Sequence, residues 1–396
     1  MLPPRYTRFM HHTDLVIVGG GPAGLATAVF AARSGLSSLV IDKRSLPLDK
    51  PCGEGVMPPG VALLEEMGVS VPHASFEGIR YVDGDIVAEG RFQGSVGWGV
   101  RRTELVRGLV DRARQLGVEL RYGENCTEWS VLPDRVRLGS DGGDIEGKYL
   151  IAADGLHSRL RKEAGLNEPT RAVRRFGVRR HFRARPWSSC VEVHWTEGAE
   201  AYVTPVGVDE LGVAFLSSGE PKSFEARLGQ FPELQERLGG AMVTSEARGA
   251  GPFRQRVRRR YQGRLALVGD AAGYLDAITG EGLSLAFRTA GALVAAIADH
   301  DSLTVYEAAY RRLSRSYYWT TGLLLAVGQR PRLRRALIAS LAERPEIFDR
   351  LLAISTGESG ASSLGFRGAI GLLGGMLSRR TSSRVDSAVA PPGRAV

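Results

Sequence analysis

Residues 14–24 read DLVIVGGGPAG. The apolar, β-branched run 14–18 ends against three glycines, the pattern of a strand buried in a parallel sheet. PAGLATAVFAARSG (22–35) is rich in small helix formers, and Gly35 is placed to stop the helix. SSLVID (37–42) is a second strand, so the segment forms a strand–helix–strand unit. Within it Gly19, Gly21 and Gly24 fit GxGxxG in the context that phosphate binding requires. Gly19 permits the tight turn, Gly21 lets the backbone approach a pyrophosphate, and Gly24 lets helix and strand pack closely. The helix N-terminus presents free N–H groups and the positive end of its dipole to the anion. Asp42 ends the second strand and can accept hydrogen bonds from a ribose diol. It would repel a 2′-phosphate, so the bound adenosine is expected to lack one.

The motif by itself fits NAD or FAD. No second GxGxxG follows in strand–turn–helix context, so a hydride donor is expected to bind elsewhere and transiently. Working outward, helical patterns recur at 58–67 and 103–116, and Gly117 ends the second. VELRYG, VRLGS and KYLIAAD (148–154) read as strands, and so does LALVGD (265–270). From about 173 to 217 short alternating segments such as FGVRRHFRA and AEAYVTPV predict an antiparallel sheet. Residues 78–100 share that texture, and a helix-rich region runs to about 354. The division expected is a discontinuous cofactor domain (1–75, 101–165 and 256–300), a substrate domain (76–100 and 166–255) and a helical C-terminal region (301–378). A Ser/Arg/Pro-rich tail (379–396) is expected to be disordered.

Two further motifs follow in order. LIAADGLHSRLRKEAG (150–165) puts Asp154 and Gly155 after a strand, with Ser158 and Arg161 beyond. GRLALVGDAAGYLDAITGEGLSLAF (263–287) puts Asp270 at a strand end and Gly280, Glu281 and Gly282 at a helix start. Asp270 suits polyol hydroxyls, and the glycine turn offers N–H donors to a ring carbonyl that carries negative charge. GxGxxG, DGxxSxxR and GDAA in this order resemble the para-hydroxybenzoate-hydroxylase-like flavoproteins over about residues 1–300. DKPCGEGVMPPG (49–60) is more similar to their geranylgeranyl reductase branch. The hydroxylases usually carry a histidine after GDAA, where Gly273 stands here, and a proline near Ala277.

The resemblance implies an α/β fold: a Rossmann-like FAD-binding domain of GR2 type, an inserted antiparallel substrate domain and C-terminal helices. It implies FAD as cofactor, held by Gly19, Gly21, Pro22, Ala23, Gly24, Asp42, Lys43, Cys52, Gly53, Arg102, Asp154, Gly155, Asp270, Gly280, Glu281 and Gly282. Cys52, with a direct role near the flavin, and Glu54, as a proton donor, are the catalytic candidates, set against a small buried hydrophobe and a turn residue. Trp98, Tyr202 and Pro205 are candidate pocket residues, and equally ordinary core. The function expected is NAD(P)H-dependent monooxygenation of a hydrophobic small molecule through a hydroperoxyflavin. Saturation of a C=C bond is the alternative; a flavin halogenase or a non-catalytic flavin-binding protein stands further off.

The 396 residues carry 52 Lys+Arg against 43 Asp+Glu, a net charge of +9, with 43% hydrophobic residues. That composition excludes a fully disordered chain. Three widely spaced cysteines argue against a disulfide scaffold, and no cysteine or histidine shows metal-ligand spacing. Arginine clusters at 171–185 and 254–264 read as solvated faces or as sites for a phosphate-bearing or carrier-tethered partner. No base-reading module accompanies them, so nucleic acid is not expected. No apolar run reaches the roughly 18–20 residues that span a bilayer, and no signal peptide is read at the N-terminus. A cytoplasmic protein is expected, with peripheral membrane contact open through the apolar patterns TTGLLLAVG and LGFRGAIGLLGGML.

Overall fold

The computed structural model describes residues 11–170 and 173–356. The expectations for the N-terminus, the apolar segment at 364–377 and the tail at 379–396 lie outside the described residues.

The strands Leu265–Leu267, Gly143–Ala152, His11–Val18, Ser38–Asp42 and Glu119–Tyr122 lie side by side in that order, all parallel. Their central residues, among them Leu15, Val16, Ile17, Leu39, Leu150 and Leu265, have no exposed surface. Each such side chain contributes about 1.5–3 kcal/mol by burial. The helices Pro22–Arg33, Arg102–Gln115 and Gly282–His300 supply the apolar cover. The first strand begins earlier than its apolar run because His11 and His12 pair with Ile145 and Glu146. The strand at Leu265 ends earlier than the pattern LALVGD suggests. Gly269, at φ 61, turns the chain into a single 3-10 turn over Gly269–Ala272.

The second sheet runs Met242–Val243, Arg175–Arg183, Glu210–Ser218, Ala199–Gly207, Val191–Thr196, Gly78–Asp83 and Ile86–Arg91. Its neighbours are antiparallel except at Val191–Thr196 against Gly78–Asp83, which are parallel. The expectation of a purely antiparallel sheet therefore needs one correction. Those two strands are more than a hundred residues apart, so no hairpin dictates their direction. Residues 97–99 leave this sheet for a small one with Gly55–Val56 and Ala74–Phe76.

Helices Leu303–Gly328, Pro331–Ala342 and Pro345–Ser355 complete the described chain. Ile338, Leu341, Phe348 and Leu352 share a core with Phe76, Val191 and Val193 of the strands. Arg334 pins this cap by its buried ion pair with Asp83 at 2.9 Å. Contrary to the sequence expectation, Gly282–His300 is long and apolar enough, by length and composition, to cross a membrane. Half of its most apolar window is buried, and the helix packs against Pro22–Arg33.

Candidate active site

The glycine turn is shaped by contact as much as by conformation. Gly19 has φ +118, and a Cβ there would lie 2.3 Å from the Ala153 carbonyl oxygen. A Cβ on Gly24 would lie 2.0 Å from the carbonyl oxygen of Gly19. At Gly21 the same construction meets nothing within 4 Å. The turn is thus closed toward the sheet and open toward the N-terminus of helix Pro22–Arg33, as a bound pyrophosphate requires.

Asp42 is differently engaged than expected. Its Oδ2 accepts the Gly20 N–H at 2.9 Å and Arg44 Nη2 at 2.9 Å. Its Oδ1 accepts the Arg44 N–H at 2.9 Å and Nε at 3.1 Å. Burial opposes the charge, but the hydrogen bonds from Arg44 and Gly20 hold the carboxyl below its ordinary range. With about four acceptor directions on a carboxylate, a ribose must displace the half-exposed Arg44 guanidinium to reach it.

The second and third motifs are one structure. Ser158 Oγ accepts the Arg161 N–H at 3.0 Å and caps the short helix Arg159–Glu163. Asp154 Oδ2 accepts the Leu160 N–H at 3.2 Å. Arg161, 2% exposed, donates to the carbonyls of Ala271 (3.1 Å), Asp270 (3.3 Å) and Leu156 (2.9 Å). DGLHSR therefore holds GDAA in place. Gly269 in turn lies against the first motif, where a Cβ would come within 2.6 Å of Ala23 Cβ.

Where the two sheets meet lies a cavity of about 260 Å³. The cofactor-fold side contributes Gly21, Pro22, Ala23, Arg102, Gly155, Asp270, Gly280 and Gly282, with Cys52, Gly53 and Glu54 beside them. The second sheet and the C-terminal helices contribute Tyr81, Val191, Val193, Tyr202, Leu324 and Leu352, and the small sheet contributes Phe76. Of the residues expected at the site, Gly19, Gly24, Asp42, Lys43, Asp154 and Glu281 do not line this cavity. Trp98 and Pro205 also lie off its wall. Trp98 stacks on His73 at 4.1 Å, and the Pro205 carbonyl crowds Gly99.

The lining fits an FAD. Arg102 Nε is buried without a hydrogen-bond partner among the described residues. Burial opposes the Arg102 charge, but Cys52, Glu54 and Asp270 outweigh it and hold the guanidinium above its ordinary range. Lys50, not expected from the sequence, also lines the cavity. Burial pushes its ammonium below the usual range, and Asp270 partly restores it. Two cations beside an open glycine turn suit a pyrophosphate, and the Gly280–Gly282 turn presents the start of a 19-residue helix to the same space.

The arginine cluster at 171–185 divides by strand face, and the reading of it as solvated or partner-binding fails for two members. Arg175 and Arg179 point inward and are 6% and 1% exposed. Arg175 bridges Glu200 and Asp276, each at 2.8 Å. Arg179 meets Asp49 at 2.5 Å. His181, two residues on, is fully buried against Glu54. The signal was present: alternation along RFGVRRHFR (175–183) puts 175, 177, 179 and 181 on one face. In the second cluster Arg260 is paired with Glu307 and stacked on Tyr310, with its guanidinium 4.5 Å from the ring centre.

A glycine turn closed against the sheet, the strand-end Asp270 and the start of helix Gly282–His300 around one cavity fit a flavin-dependent oxidoreductase. The chain belongs to the family described as "FAD binding domain", whose model matches residues 12–302, the family of para-hydroxybenzoate-hydroxylase-like flavoproteins. It is 30% identical over 320 residues to a menaquinone reductase of Mycobacterium tuberculosis, covering 73% of this chain and 77% of that one. It is 28% identical to a 3-(3-hydroxy-phenyl)propionate/3-hydroxycinnamic acid hydroxylase of Mycolicibacterium gilvum, covering 76% and 58%. A flavoprotein/dehydrogenase from Cytophaga hutchinsonii shares the fold, with a TM-score of 0.80 at 17% identity over 93% of this chain and 100% of that one. The protein is an FAD-dependent oxidoreductase.

Proposed function

We propose that the protein is an NAD(P)H-using monooxygenase that places one oxygen atom on a hydrophobic small molecule held in the apolar part of the cavity. The observation that carries this reading is the wall of Phe76, Val191, Val193, Tyr202, Leu324 and Leu352, which shares a cavity with the Gly280–Gly282 turn. When bound, FAD supplies the electron transfer and oxygen activation. The chain supplies the rest. Lys50 and Arg102 balance anionic charge, and the apolar wall excludes water and orients the substrate. The Thr204 hydroxyl donates to the Gly53 carbonyl at 2.9 Å and fixes the Cys52–Glu54 turn.

A second reading, saturation of a C=C bond, is favoured by the likeness to menaquinone reductases and by Cys52. Cys52 lines the cavity beside Arg102, and its Sγ accepts the Glu54 N–H at 3.3 Å. Contact with an anionic membrane belongs to either reading. Trp319 and Leu323 are 64% and 49% exposed on Leu303–Gly328, one and two turns beyond exposed Arg315.

The test is mass spectrometry of a prenylated naphthoquinone incubated with FAD-loaded protein and NADH or NADPH. Gain of one labelled atom under isotopic oxygen supports monooxygenation. Gain of two hydrogens that survives air reoxidation of the quinol, and so lies in the prenyl chain, supports the second reading and removes the first. An unchanged probe, with a nicotinamide that nonetheless reduces the bound flavin, removes this probe's class from both.

A further inference from the structure

Glu54 lines the cavity, is 2% exposed, and sits at φ 61. A residue with a side chain occupies that left-handed region only where its surroundings impose it, and such positions gather at functional sites. Both carboxylate oxygens are engaged. Oε1 accepts the Arg102 backbone N–H at 2.7 Å, and Oε2 lies 2.5 Å from His181 Nε2. The other ring nitrogen of His181, Nδ1, lies 3.1 Å from Arg179 Nη1 and 2.7 Å from Ser245 Oγ.

A guanidinium has donors and no acceptor. Nδ1 is therefore the unprotonated nitrogen that accepts from Arg179, and the ring proton sits on Nε2, aimed at Glu54. Ser245 Oγ accepts the His181 backbone N–H at 3.1 Å, and its own proton has two acceptors in reach, Nδ1 at 2.7 Å and the Glu246 carbonyl at 3.3 Å. Arg179 is itself fixed by Asp49 at 2.5 Å and by the Lys50 carbonyl at 3.2 Å. Asp49 also meets Arg248 at 2.9 Å. The imidazole has one donor direction, and the fold spends it on the cavity carboxylate.

Both reactions considered above take up a hydride from the nicotinamide and one proton from solvent in each turnover. We propose that Glu54 exchanges that proton with the contents of the cavity, and that His181, locked in its Nε2–H tautomer by Arg179, is its positioning residue. The protonated carboxyl gives its proton to the reacting molecule and becomes a carboxylate. The Nε2–H of His181 and the N–H of Arg102 stabilise that carboxylate, and a solvent water admitted with the next substrate returns the proton. The inference rests on the redox reading of the cavity and on neither of its two branches.

Two measurements on FAD-loaded protein test it. Long-range ¹H–¹⁵N spectra of histidine-labelled protein, with His181 assigned by its absence in His181→Gln, read the tautomer directly. A proton on Nε2 is expected, and a proton on Nδ1 overturns the proposal. The second measurement is the pH dependence of NADH or NADPH turnover. The other charged groups that face this pair are Arg102, Arg179, Asp49, Lys50 and Arg248, with the Cys52 thiol, and all remain in the variants. His181→Ala removes the donor to the ionised carboxylate, so Glu54 keeps its proton to higher pH. The alkaline limb, where turnover falls as the proton donor ionises, moves up by about one pH unit. His181→Gln, whose amide N–H can stand where Nε2–H stood, restores most of the limb's position. Glu54→Gln slows turnover by about 10²-fold. A His181→Ala limb that superposes on the wild type, in a protein that keeps its FAD, overturns the proposal. If neither nicotinamide reduces the bound flavin, the functional reading fails, and the spectra still decide the tautomer.

Discussion

Around Gly19–Gly24 the backbone forms the binding surface. The residues that matter there lack side chains, Ala153 main-chain atoms close in on Gly19, and Asp42 and Tyr122 hold the Gly20 peptide. Across the cavity, on the strand Arg175–Arg183, long charged side chains are drawn inward and matched one by one. Arg175 meets Glu200 and Asp276, Arg179 meets Asp49, and His181 meets Glu54. The first region tolerates no added atoms, and the second tolerates no lost partner. A glycine spacing is written along a few neighbouring residues. The charge matches join strands and loops that the chain brings together from as far apart as Asp49 and Arg179.

The largest effect is expected from removing a partner in the second region. Arg175→Ala leaves Glu200 and Asp276 buried and uncompensated, at a cost of about 3–5 kcal/mol. A urea midpoint unchanged from wild type would break the contrast. Glu281 gives the next effect and has a defined sign. Burial pushes its carboxyl up to about 8 from an ordinary 4.5, with Arg288 and Ser355 opposing. The folded state therefore binds this proton more tightly than the unfolded state does. The stability it contributes is whole below 4.5 and is lost as pH rises from 4.5 toward 8. Glu281→Gln is expected to raise the unfolding free energy read from urea titration near pH 9 by roughly a few kcal/mol, and to change it little near pH 4. An equal gain at both pH values would sink the assignment.

In the first region Gly24→Ala forces a methyl group against the carbonyl of Gly19 and costs about 1–3 kcal/mol. Its FAD content after dialysis should fall with its melting temperature, and full retention of both would show that the turn can yield. Asp42→Ala loses the acceptor of the Gly20 N–H and is expected to weaken FAD binding about tenfold by flavin fluorescence titration. Because Asp42 already binds Arg44, Arg44→Ala should leave FAD affinity equal or better. Weaker binding would mean that the ion pair itself shapes the site.

Most of the first sheet was legible in the sequence. DLVIV, SSLVID and KYLIAAD are apolar runs of strand length, and each lies where its pattern placed it, to within a few residues. The glycine motif announced its own geometry, because only glycine accepts φ +118 at Gly19 with a carbonyl 2.3 Å from the absent Cβ. Lys50 was not legible, and for Arg179 and His181 strand alternation gave the shared face but not that it points inward. A lone lysine in a proline-flanked loop carries no pattern, and an arginine-rich strand reads as solvated until its partners are known.

The sequence by itself therefore determined the nucleotide turn, whose glycines lie within a few positions of one another, and the order of the three motifs, whose resemblance implied FAD. Only the tertiary structure decided that Arg161 of the second motif holds the carbonyls of the third. It alone showed that Asp42 is occupied by Arg44, and that the inward arginines are structural. The reason is physical: burying a charge is tolerated only where a partner arrives, and the partner's place in the chain is set by the fold, not by local spacing.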